Sequence, residues 1–134
     1  MAAAAGRKAL KLLLDTHAAL WLATGHEGLG PDLRKAIAGA AGGVFISMAS
    51  LWELKIKANL GKLRIPPDLA EGLEESGIIL LSIGLRHLSA LDGMPFHHKD
   101  PFDRMLIAQA RVEGMTLVTA DRMIRHYDVP VLWS

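Results

Sequence analysis

Five short apolar runs, the first three of them followed by longer stretches with apolar residues three or four apart, limit what this chain can fold into. They are "ALKLLLD" (9–15), "GVFIS" (43–47), "GIILLSI" (77–83), "TLVTAD" (116–121) and "VPVLW" (129–133). Most are apolar at consecutive positions, as expected of strands buried on both faces of a parallel sheet. The stretches between them, such as "THAALWLATG", "ASLWELKIKANLGK" and "DPFDRMLIAQARVEG", carry helical periodicity, and Gly or Pro punctuates nearly every junction. Strand and helix in alternation predict a three-layer α/β/α domain around a central, mostly parallel five-stranded sheet.

A chain of 134 residues, 51% of them hydrophobic, can bury one sizeable core but not two. A single domain is therefore expected over residues 8–134, preceded by an extended or disordered tail at 1–7. "ALKLLL" is interrupted by Lys11 and ended by Asp15, so neither a membrane span nor a signal peptide is expected. The absence of cysteine removes disulfides, thiolate nucleophiles and Cys-bound zinc, and is compatible with a cytoplasmic setting. A net charge of +1 neither announces nor forbids a nucleic-acid partner.

Ligands of open parallel sheets bind beyond the carboxyl ends of the strands, and the notable residues there are acids. Asp15 closes the first run and Asp121 the fourth; Glu53 lies one turn into the helix after the second; Asp100 and Asp103 open the long late helix. Each has an ordinary explanation. Asp15, Asp100 and Asp121 stand where N-caps are wanted, Pro101 suits the first helical position, and Ser50 with Glu53 has the spacing of a capping box. Glu53 can also pair with Lys57 one turn on.

Asp103 is harder to dismiss. Leu106, Ile107 and Ala110 stand three, four and seven residues beyond it, so it shares their inward face, whereas Asp100 is offset and suits the cap. A carboxylate on that face loses hydration and needs compensation. If Asp15, Glu53, Asp103 and Asp121 meet at one sheet edge, a divalent cation is the compensation expected. All-oxygen ligands favour Mg²⁺ or Mn²⁺, and the chemistry implied is hydrolysis of a phosphate ester or diester.

"LLLDTHAALWL", "ISMASLWELKIKANLGKL", "HKDPFDRMLIAQA" and "LVTAD", in this order, resemble the PIN-domain proteins of the VapC toxin type over most of the chain. The resemblance implies a PIN-like fold and a Mg²⁺- or Mn²⁺-dependent ribonuclease, the toxin of a pair held inactive by a cognate antitoxin protein and often a homodimer. It gives Asp15, Glu53, Asp103 and Asp121 as catalytic and metal-binding residues. Thr119 matches a hydroxyl position near the metal, Ser47 and Ser50 match polar positions around the second acid, and Asp100 and Arg104 belong to the late signature without being assured ligands. The extension before the first strand and a doubled histidine, His97 beside His98, depart from the pattern.

Neighbours on an extended loop point to opposite sides, so His97 and His98 cannot both face a site. His17 is expected to pack or to support the site, and Trp21, Trp52 and Trp133 are expected in the core rather than in base stacking. Lys55, Lys57, Lys62 and Arg64 form a cationic stretch that suits either a solvated face or contacts with an RNA backbone. Two other functions compete: an aspartate-dependent phosphatase or receiver-like domain, against which His17 stands where a second aspartate is wanted, and a non-catalytic nucleic-acid or protein-binding module.

Overall fold

The computed structural model describes residues 9–133, the side chain of Trp133 excepted. The expected tail at 1–7 and the expected core packing of Trp133 lie outside the described residues. Strands β1 (Leu12–Leu14), β2 (Val44–Ser47), β3 (Ile79–Leu81), β4 (Thr116–Thr119) and β5 (Val131–Trp133) form one sheet in the order β3-β2-β1-β4-β5. All four pairings are parallel, so the expected sheet is present without an antiparallel member.

Helices α1 (Thr16–Thr24), α2 (Pro31–Ala38), α3 (Met48–Asn59), α4 (Leu69–Glu75), α5 (Leu85–Ala90) and α6 (Pro101–Glu113) supply the crossovers. Left-handed Gly25 and Gly114 end α1 and α6, a conformation that an L side chain would strain. A 3₁₀ turn, Arg122–His126, follows β4. Its five residues are too few to show a helical period, and sequence periodicity did not indicate it.

The sheet divides the core in two. Leu12, Leu14, Ile46 and Val118 pack with α1, α2 and Leu54 of α3 on one face, while Leu13 and Leu117 pack with Leu106, Ile107 and Ala110 of α6 on the other. Consecutive residues of β1 thus serve opposite layers, which is why "LLL" carries no polar alternation. "GIILLSI" departs from this reading. It forms the sheet edge, and Ile79 and Leu80 are exposed, because only one neighbouring strand covers it. Among the described residues, no helix is long and apolar enough to cross a membrane.

Candidate active site

The acids gather at the carboxyl ends of β1, β2 and β4, the three central strands. The chain leaves β1 and turns at once into α1, with Asp15 extended between them and its Oδ1 accepting from Ala18 N at 2.8 Å. Burial raises the Asp15 carboxyl above its ordinary value; hydrogen bonding by the Thr119 hydroxyl and the Ala18 N–H opposes this, and nearby Glu53 adds to it. Ser47, the last residue of β2, caps α3 by accepting from Ala49 N at 3.0 Å. The expected Ser50–Glu53 capping box is therefore not used, because α3 starts a turn earlier. Ser50 is instead fully buried in that first turn, and its Oγ has no hydrogen-bond partner among the described residues.

Glu53 is buried on the inner side of α3. Its carboxylate accepts from the Thr16 hydroxyl and pairs with Lys57 Nζ at 2.9 Å. Asp100 caps α6 as expected, its Oδ1 accepting from Phe102 N at 2.8 Å and Asp103 N at 3.1 Å. Asp103 projects from the first turn of α6, above the fully buried Leu106 and Ile107. Asp121 caps the 3₁₀ turn through Oδ1, which accepts from Met123 N at 2.9 Å, and its own N–H donates to Thr119 Oγ1 at 3.0 Å.

His98 completes this half of the site. Its Nε2 lies 2.6 Å from Asp121 Oδ2 and 2.9 Å from Asp103 Oδ2. Its Nδ1 accepts from Asp100 N at 3.2 Å, which places the ring proton on Nε2 between the two carboxylates. One ligating atom from each of His98, Asp103 and Asp121 falls within 4.8 Å of the others. The sequence marked the histidine pair but could not choose within it, since the partner at 121 is remote along the chain. His97 turns away and packs edge-on against Tyr127, with His126 also adjacent.

The placement of His98 depends on a buried tie. Arg104 donates through Nη1 to Pro95 O at 2.8 Å and through Nη2 to Met94 O at 3.2 Å, while its guanidinium lies 4.0 Å from the centre of the Phe96 ring. The Tyr127 hydroxyl donates to Pro95 O at 2.7 Å and accepts from His98 N at 2.8 Å. Arg104 thus anchors the loop that carries His98, and Tyr127 is a supporting residue that its isolated position in the sequence did not reveal.

Crowding of like charge shows in the ionisation of the acids. Burial pushes the Asp103 carboxyl up to about 7, with Asp100, Glu53 and Asp121 adding to the shift and His98 opposing it. Asp121 is held below the ordinary value against the effect of its partial burial, by the Met123 N–H and by His98. Burial alone would lower His98, yet Asp121, Asp103 and Asp100 outweigh it and raise the imidazole. Glu53 acts on both Asp15 and Asp103, so four acids in two hydrogen-bonded halves share one electrostatic environment.

The cationic stretch is divided. Lys57 reaches Glu53, whereas Lys55, Lys62 and Arg64 are exposed. Trp21 stacks on His26 and borders the core, and exposed His17 meets the edge of Trp21. Trp52 does not enter the core. The residue is 62% exposed on the outer face of α3, and its ring makes an edge-to-face contact with Phe102.

A family model described as PIN domain matches residues 12–130. The chain belongs to the PIN domain family. Solved structures similar to this PIN domain include the DNA-bound VapBC of Salmonella typhimurium, at 20% identity and a TM-score of 0.68, covering 92% of this chain and 98% of that one. VapBC2 of Rickettsia felis, bound to a promoter DNA fragment, has 14% identity, a TM-score of 0.67 and the same coverage. FitAcB of Neisseria gonorrhoeae has 17% identity and a TM-score of 0.59, covering 90% of this chain and 96% of that one. No curated protein matches the sequence.

The side chains of this PIN domain suit a hard divalent cation. Asp103 and Asp121 meet with His98 within 4.8 Å, Asp15 and Glu53 lie outside that group with Glu53 acting on both Asp15 and Asp103 through its charge, burial keeps Asp103 from ionising readily, and the Ser50 hydroxyl, without a partner among the described residues, lies one turn from Glu53.

Proposed function

We propose that this PIN domain is a Mg²⁺- or Mn²⁺-dependent ribonuclease that hydrolyses RNA phosphodiester bonds, and that it is the toxin of a toxin-antitoxin pair restrained by a cognate antitoxin protein. The observation that carries the reading is the meeting of Asp103, Asp121 and His98 within 4.8 Å at the ends of the central strands, with buried Asp15 and Glu53 on the neighbouring segments. A fold shared with chains of VapBC complexes supports the antitoxin as partner. A homodimer is part of the same proposal.

Asp15, Glu53, Asp103 and Asp121 would hold the cation, which supplies activation of water and stabilisation of charge on the phosphate. The remaining residues prepare that set. Thr16 and Lys57 fix the Glu53 carboxylate from opposite partners, Thr119 and Ala18 fix Asp15, and His98 keeps Asp103 and Asp121 together. The N–H of His98 Nε2 bridges the two carboxylates and so offsets part of their repulsion. Lys55, Lys62 and Arg64 remain available to an RNA backbone.

The test is incubation of the purified protein with a pool of single-stranded RNA, with Mg²⁺ or Mn²⁺ and with excess chelator. Cleavage is expected only with the metal and is lost in Asp103→Asn. Full cleavage in chelator would remove the proposal.

A further inference from the structure

Beside the acids lies an apolar strip that neither the core nor the chemistry uses. Met48 and Trp52 stand four residues apart on the outer face of α3, 40% and 62% exposed, and Phe102 meets the indole with ring centres 5.4 Å apart at 79°. A tryptophan that stays mostly in water forgoes much of the burial that normally accounts for its place in a fold. Phe102 nevertheless fixes its orientation. The two rings are direct chain neighbours of Glu53 and Asp103, so each aromatic sits next to a proposed metal ligand on a different helix. Exposed Lys55, three residues after Trp52, lies along the same face and offers a cation to a phosphate.

We propose that Trp52, braced by Phe102, is a stacking platform for an unpaired base of the RNA substrate, which seats the adjoining phosphodiester at the acids. The inference rests on the ribonuclease reading and deepens it by selecting a single-stranded substrate. Stacking uses the π face that every base possesses, so Trp52 provides grip and register rather than choice of base. Trp52 is thus a positioning residue. A duplex, whose bases are already stacked on each other, does not engage it.

Binding is measured in an Asp103→Asn background, where no cleavage intervenes, with a short oligoadenylate and with an abasic oligomer of the same length. Trp52→Ala is expected to weaken oligoadenylate binding by about 5- to 100-fold, Trp52→Phe to recover most of it, and neither to change abasic binding. With Asp103 intact, Trp52→Ala should raise KM and leave kcat nearly unchanged. Oligoadenylate affinity within twofold of the parent, or an equal loss toward both oligomers, overturns the platform. So does a change of oligomeric state in Trp52→Ala that accounts for the lost affinity, which would assign the strip to a second copy of the chain. Binding does not require cleavage, so loss of the ribonuclease reading would appear separately, as an inert protein with Asp103 intact.

Discussion

His98 Nε2 lies within hydrogen-bonding distance of Asp121 Oδ2 and Asp103 Oδ2, joining the end of β4 to the start of α6 through one imidazole. His98→Ala removes the N–H that bridges those carboxylates. The metal-free protein should lose about 1.5–3 kcal/mol, the range for a hydrogen bond to a charged group. Added Mg²⁺ or Mn²⁺ should restore more stability to the variant than it adds to the parent. Thermal melts of both proteins, with metal and with chelator, measure the difference.

Asp103 carries a pH dependence of definite sign. Its folded-state carboxyl is raised from 3.8 to about 7, so between those values the folded protein holds a proton that the unfolded chain has released. This contribution to stability is complete at low pH and is lost as pH rises through the window; Asp15, also raised, acts in the same direction. In chelator, the melting temperature of Asp103→Asn relative to the parent should therefore climb from about pH 4 to about pH 7 and level off above that. A bound cation should flatten the difference, and titration melts across that range test both statements.

Tyr127 holds the loop before α6 with one hydroxyl, donating to Pro95 O and accepting from His98 N. Tyr127→Phe keeps the ring and orphans the His98 N–H, while Pro95 O keeps its bond from Arg104 Nη1, with an expected loss of about 1–2 kcal/mol in chemical denaturation. Metal-dependent cleavage should fall more than the modest loss of stability implies, because His98 loses its anchor.

Thr16→Val removes the hydroxyl that reaches Glu53 across 37 positions of sequence. Glu53 then has only Lys57, which leaves its carboxylate free to rotate. Stability should drop by about 1 kcal/mol and the apparent affinity for Mg²⁺ should weaken. Calorimetric titration with Mg²⁺ checks the second effect independently of catalysis.

The sequence made the layers legible because β1, β2 and β4 are central strands with consecutive apolar residues serving both faces, such as Leu12–Leu14, Val44–Ile46 and Leu117–Val118. It identified β3 as a strand but not as the exposed edge, since an apolar run looks the same at the edge of a sheet as at its centre. Asp103 was legible from spacing alone, as Leu106, Ile107 and Ala110 do lie in the core below it. Ser50 was misread because the pattern S-x-x-E occurs with or without a helix end, and Ser47 had already supplied the cap. Trp52 was misplaced by its apolar neighbours Leu51 and Leu54, which turn inward while it turns out. His98 was beyond sequence reasoning, for its partner Asp121 reaches it only through the parallel crossover.

Asp15 and Asp121 each use Oδ1 to start a helical turn, and the second oxygen of Asp121 meets His98. Asparagine retains an oxygen for the first task and replaces the other with an amide that a cation would not accept. A single amidation-like substitution could therefore silence such a protein while leaving its shape, and any surface it offers a partner, in place. On the proposed reading, an inert decoy lies one substitution from the ribonuclease.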